Sequence, residues 1–187
     1  MTSADAPGSG VETEPLAPVP DDKDWTWTLQ RACPECGFNA ASIEPVAIPA
    51  LVRDAVSRWP DVLARSEAAA RPAPATWSAL EYACHVRDVC GIFGQRLELM
   101  LGEERPTFAN WDQDETALRE RYWQQDPAVV SSEVGRSGED LAQAYERVGD
   151  RDWTRAGVRS DGSVFTVESL GRYLLHDLYH HVWDVGG

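Results

Sequence analysis

The residue types with the most chemistry to offer in this 187-residue chain are four histidines and four cysteines. His176 and His180 lie four apart in SLGRYLLHDLYHHVWDV, residues 169–185. On a helix, side chains four apart stand above one another, so two imidazoles at this spacing can converge on one ion. His85 lies far back in the chain, within WSALEYACHVRDV, residues 77–89. Three neutral imidazoles around a metal such as Zn²⁺ leave a fourth position open, the pattern of a catalytic site. The ion then acts as a Lewis acid and lowers the pKa of whatever fills that position. Water there becomes a hydrolytic nucleophile; a thiol becomes a thiolate, its nucleophilic form. The chain carries no GxSxG elbow and no glycine-rich phosphate loop to offer another route. Spacing alone leaves it open whether the three histidines meet, because most helical histidines are surface or hydrogen-bonded core groups. His181, about 100° further round, reads as an exposed residue or one that supports a ligand.

Cys33-Pro34-Glu35-Cys36 is a CxxC turn, half of a zinc ribbon. A structural zinc site wants four ligands. Cys84 and Cys90 are six apart on a predicted helix and point roughly 120° apart, so they are poor candidates to complete it. A thioredoxin-type redox pair needs a βαβ setting that the pattern does not supply. The turn therefore reads as a local bend or a weak metal or redox site. The four cysteines do not form a disulfide framework.

Positioning these groups falls to helices. In residues 169–185, Leu174, Leu175, Leu178, Val182 and Val185 share one arc, with His176 and His180 opposite, flanked by Tyr173 and Trp183. Thr166 is the expected N-cap and Gly186-Gly187 the stop. A second helix over 78–101 opens on a capping box, Ser78 with Glu81. It buries Tyr82, Val86, Val89, Phe93, Leu97 and Met100. His85 falls at the edge of this stripe, beside Glu81 and Asp88, either of which can orient a ligating imidazole. Arg96 lies near the same side and can meet an anionic substrate. A first helix over 49–70 contains Pro60, which should kink or divide it. A third covers about 127–150. Between the second and third, residues 102–114 form a loop whose Trp111 can line a pocket, and 115–125 form a short helical piece. Residues 153–165 read as a hairpin turning at 160–163. Four main helices with short connections give a bundle.

The N-terminal 24 residues are rich in Pro, Gly, Ser, Ala and acids and read as a disordered acidic tail. Trp25, Trp27 and Leu29 alternate, predicting a short extended piece within 25–44. Residues 45–187 form the domain. A net charge of −14 argues against nucleic acid, whose phosphates would be repelled. No apolar run reaches the ~20 residues needed to span a bilayer, and a cytoplasmic location is expected. One Lys against sixteen Arg, with abundant Ala, fits a GC-rich, for instance actinobacterial, genome.

Residues 77–89 together with His176-Asp177-Leu178-Tyr179-His180 resemble the DinB-like superfamily, over about residues 45–185. That group includes mycothiol-dependent maleylpyruvate isomerases and bacillithiol S-transferases. The resemblance implies an all-α, four-helix bundle of up-down-down-up type. It further implies that His85, His176 and His180 ligate one divalent metal, zinc or nickel, and, by analogy with its members, a homodimer. The function expected on this basis is a metal-dependent thiol S-transferase or isomerase, with mycothiol as co-substrate and a small electrophile as partner. A non-catalytic, stress-associated metal-binding bundle and a metallohydrolase are the alternatives.

Overall fold

The computed structural model describes Pro18 and residues 23–187, so the tail expected over 1–24 lies outside the described residues apart from Pro18, Lys23 and Asp24. The first predicted helix is divided as Pro60 dictates. Helix α1, Ile48–Val56, ends at Ser57, and α2, Trp59–Leu63, begins with Pro60 in its first turn, where a missing N–H costs nothing. Helix α3, Ala79–Gly102, starts on the predicted capping box: Ser78 Oγ accepts from Glu81 N, and the Glu81 carboxylate accepts from Ser78 N. A two-residue strand β1, Thr107–Phe108, follows, then the short helix α4, Gln113–Arg119. Helix α5 spans Pro127–Glu146, strands β2 and β3 span Ala156–Arg159 and Val164–Thr166, and helix α6 spans Val167–Asp184. Thr166 caps α6 by accepting from Ser169 N at 3.0 Å.

Helix α1 packs on α5 and α6, and α3 packs on the same two, so α1 and α3 face each other across a four-helix bundle. Trp59, Leu97, Leu141, Leu174 and Tyr145 are among its fully buried side chains. Close approach of α1 and α5 depends on Gly138, where an added Cβ would sit 2.7 Å from both methyls of Val56. Arg53 then spans the outside of that contact, donating to Glu139 at 2.7 Å and Glu146 at 2.6 Å.

Two elements differ from the sequence reading. The predicted hairpin exists, but β1 joins it in parallel to make a three-stranded sheet in the order β1-β2-β3. Residues 25–29 are not extended: Trp25–Leu29 wind into a 3-10 turn. Asp24 accepts from Thr26 N at 2.9 Å and Thr28 Oγ1 donates to Trp25 O at 2.8 Å, local bonds that an extended strand would forgo. This turn lies on α6, and the chain beyond it stays there. Phe38 stacks on Tyr179 with rings 4.5 Å apart, and Arg172 donates to Ile43 O at 2.8 Å. No helix of the described residues is long and apolar enough to cross a membrane.

Candidate metal centres

One turn of α6 carries two i,i+4 pairs offset by a single residue: His176 with His180, and Asp177 with His181. At about 100° per residue the two pairs face different neighbours. The Asp177 and His181 face meets α3, where His85 waits. The His176 and His180 face is covered by the N-terminal segment. The predicted trio is therefore distributed over two groups of ligand atoms: Cys33, Cys36, His176 and His180 in one, and His85, Asp177 and His181 in the other. Within each group the candidate ligand atoms lie within 4.8 Å of one another.

In the second group, His85 Nε2 and His181 Nε2 stand 3.6 Å and 3.7 Å from the same oxygen, Asp177 Oδ1. These distances are too long for hydrogen bonds. They match ligand atoms sharing one ion, since bonds of ~2.1 Å at the tetrahedral angle set neighbouring nitrogens and oxygens ~3.4 Å apart. His85 is 1% exposed, and neither of its ring nitrogens has a hydrogen-bond partner; Asp177 Oδ1 has none either. Buried polar atoms left this way are costly, and a cation between His85 Nε2 and Asp177 Oδ1 would satisfy both of those. His181 Nδ1 donates to Asp184 Oδ2 at 2.8 Å, which turns Nε2 toward the group. Burial lowers the pKa of His85, keeping its ring neutral and able to ligate. For Asp177, burial alone would raise the pKa, but His85 and His181 hold it down to about 2, so it is a carboxylate.

Sequence reasoning placed four further residues near this centre, and the structure sorts them. Glu81 does not orient His85. Its carboxylate takes the guanidinium of Arg71 and the N–H and hydroxyl of Ser78, because closing the α3 cap turns it away from the ring. Asp88 accepts from Arg87 Nε at 2.8 Å and from the Tyr122 hydroxyl, so it too bonds elsewhere. Trp111 does reach the centre, stacked on His85 at 5.2 Å with planes 13° apart, its Nε1 donating to Thr116. Arg96 lines the same cleft of about 650 Å³. It is 7% exposed, donates to Ala109 O at 3.1 Å, and lies over Phe93 and Phe108. Burial and nearby Arg159 push its pKa down to about 10, which leaves it charged at neutral pH. Sequence reasoning missed Asp177 and gave His181 no ligand role; the signal available was their own i,i+4 spacing.

In the first group, Cys33 Sγ lies 3.8 Å from His180 Nδ1. Cys33, His176 and His180 are 1%, 3% and 8% exposed, and His176 Nε2 has no hydrogen-bond partner. Burial, and then His180, lower the His176 pKa to about 4; burial lowers that of His180. Trp25 covers both rings, at 5.3 Å from His176 and 5.1 Å from His180. Lys23, Asp24 and Trp25 also line the cleft, so this segment forms part of its wall. Cys84 and Cys90 are buried in α3 and belong to neither group.

Histidines and a carboxylate are thus gathered between the second and last main helices of a four-helix bundle, where they could hold a metal. The chain belongs to the DinB superfamily, whose family model matches residues 50–185. Among solved structures it resembles YfiT from Bacillus subtilis, described as a probable metal-dependent hydrolase with an unusual four-helix bundle topology. The TM-score is 0.63 at 17% identity, over 78% of this chain and 83% of that one. No curated protein matches the sequence.

Proposed function

We propose that His85, Asp177 and His181 hold a divalent metal, zinc or nickel, and that the cleft beside them is the active site of a thiol S-transferase or isomerase acting on a small anionic electrophile. The observation that carries this reading is the set of buried, unbonded ligand atoms of His85 and Asp177 opening onto a cleft that also holds a buried Arg96. Three protein ligands leave positions free for an exogenous group, as catalytic centres require. A bound ion would supply Lewis acidity and lower the pKa of a thiol or water brought to it.

The chain's own residues do the rest. Trp111 shields His85 from water on one face. Arg96, with Arg159 near it, favours a carboxylate or similar anion in the cleft, and the two like charges are relieved when one binds. Arg159 already pairs with Asp161, which leaves Arg96 the better-placed anchor. Tyr173 lies beside the Arg159 guanidinium, 5.9 Å from its ring centroid, and burial raises its pKa, so its hydroxyl stays protonated and can donate to charge developing on the electrophile. The cleft presents no serine or cysteine paired with a base among the described residues, which suits a reaction whose nucleophile arrives with the substrate. Mycothiol, used by members of the family that the sequence resembles, is the first thiol to test. A hydrolase is the second reading, favoured by the description of the structurally similar YfiT.

The test is anaerobic incubation of metal-loaded protein with mycothiol and monochlorobimane. Conjugation above the uncatalysed rate that disappears in His85→Ala, with helical circular dichroism retained, supports the transferase. Ester or amide hydrolysis without thiol, lost in the same variant, supports the hydrolase. Neither activity over a panel of anionic electrophiles and esters would sink both.

A further inference from the structure

We propose that Cys33, Cys36, His176 and His180 form a second, closed zinc site that fastens the N-terminal segment to α6. It does not rest on the reading of the cleft, whose ligands are different residues.

The donor set is the first argument. Two thiols and two imidazoles suit Zn²⁺ and exclude the oxygen-seeking Mg²⁺ and Ca²⁺. Two cysteines separated by two residues and two histidines separated by three have the spacings of structural zinc sites. Geometry agrees. Zn–S bonds of ~2.3 Å and Zn–N bonds of ~2.1 Å at the tetrahedral angle place neighbouring ligand atoms ~3.4–3.8 Å apart. Cys33 Sγ and His180 Nδ1 are 3.8 Å apart, and all four ligand atoms fall within 4.8 Å of one another.

The CxxC turn is shaped to present both sulfurs on one side. Gly37 N donates to Cys33 O at 2.9 Å, and Cys33 N donates to Phe38 O at 2.9 Å, closing the loop from within. Gly37 takes φ +74°, a left-handed conformation that a side chain would strain. The partner pair is held as firmly. His180 turns Nδ1 to Cys33 while its Nε2 faces Glu35 at 3.5 Å and Asp184 at 3.7 Å. At these distances neither carboxylate is hydrogen-bonded to the ring, but both put negative charge behind it, which favours an imidazole sharing a cation. Glu35 is the third residue of the CPEC turn itself, so the turn that supplies two ligands also places a carboxylate beside the imidazole opposite.

Two other readings fit less well. A redox dithiol needs at least one accessible sulfur with a lowered pKa. Here Cys33 is 1% exposed, sealed from an exchanging thiol, with its sulfur turned to His180 Nδ1. A purely apolar packing role leaves the buried His176 Nε2 without a partner, which a metal bond removes. Four protein ligands under the Trp25 ring leave no position for a substrate, so this centre is structural.

The deciding measurement is made on untagged protein loaded with Co²⁺ in place of zinc. Sulfur-to-cobalt charge-transfer absorption in the near ultraviolet is expected, because the cleft centre contains no sulfur ligand. It should weaken or vanish in Cys36→Ser, change in position or intensity in His176→Ala, and persist unchanged in His85→Ala and His181→Ala. In parallel, titrating the zinc form of the wild-type chain with p-hydroxymercuribenzoate in the presence of a zinc indicator should release one zinc as two thiols react. This second experiment decides alone if a variant fails to fold. Cobalt protein without charge-transfer bands, bands indifferent to Cys36→Ser, or thiols that react without releasing zinc would each overturn the proposal.

Discussion

Cys33 Sγ lies 3.8 Å from His180 Nδ1, although 147 residues separate them in the chain. A cross-link over so long a loop removes much freedom from the unfolded chain, by the same chain-entropy reasoning that credits a ~100-residue disulfide loop with ~4.7 kcal/mol. Chelation is therefore expected to lower unfolding free energy by several kcal/mol. Hydrogen exchange should accelerate first in residues 25–44, before α3 changes. Uniform acceleration along the chain, or none, would contradict a staple at this place.

The ion pair of Arg71 with Glu81 supports α3 rather than His85. Glu81 is 1% exposed and also closes the capping box. Removing one member of a buried pair strands the other charge, at a cost of ~3–5 kcal/mol. Glu81→Ala should lose stability of that order in urea denaturation. Metal content, measured on the folded protein at low temperature, should stay unchanged. Metal lost in proportion to the substitution would return Glu81 to the role that the sequence suggested.

Two glycines three residues apart in α5 should respond in opposite directions. At Gly138 a new Cβ would meet both Val56 methyls at 2.7 Å, and a β-branched side chain has little freedom to withdraw. Overpacking of ~1–3 kcal/mol then outweighs the ~1 kcal/mol that alanine gains over glycine as a helix former. Gly135 is exposed with nothing within 4 Å of its added Cβ, so Gly135→Ala should keep that gain. Thermal unfolding of the two variants should move Tm down and up respectively.

The clamp between α1 and α5 has a pH signature. Hydrogen bonds from Arg53, then Gln143, hold the Glu139 carboxyl at about 2, below its ordinary 4.5. A depressed folded-state pKa means that the unfolded chain binds the proton more tightly. The contribution is thus complete above pH ~5 and is lost as pH falls through 4.5 toward 2. Because the pair is exposed, salt should weaken it. The Tm difference between wild type and Glu139→Gln should be largest near pH 6, shrink below pH 4.5 and close only at about pH 2 and under; a constant difference would refute the clamp.

For the cleft, Arg96→Met is expected to raise KM for a carboxylate-bearing electrophile about tenfold or more, the equivalent of ~1.4 kcal/mol. Uncharged monochlorobimane should be affected little. Equal losses for both substrates would place Arg96 in the scaffold and not at the substrate.

Much of the fold was legible because its signals are local. The caps at Ser78 and Thr166 and the division at Pro60 depend on residues within one turn of each other. Strand β1 was not legible: two residues carry no period, and its pairing with β2 lies about fifty residues away. The turn at Trp25–Leu29 was misread because alternating apolar residues also suit a 3-10 turn lying on a helix. At the sites, the residue types were visible but their partnerships were not. His85, His176 and His180 are all buried at candidate ligand positions, yet which of them share an ion depends on the rotation of α6 between α3 and the N-terminal segment. The CPEC turn was tested only against other cysteines, when its nearest donors are histidines at the opposite end of the chain.

Because the two donor pairs of α6 interleave, they share one phase setting. Inserting or deleting a single residue between 167 and 175 would rotate both by about 100°, carrying His176 and His180 off the CPEC turn and Asp177 and His181 off His85 together. What holds that phase lies upstream, at Gly171, where an added methyl would come within 2.6 Å of Ile48, and at Arg172, tied to Ile43. Neither residue belongs to either ligand group, yet each acts as a stop against which both are indexed.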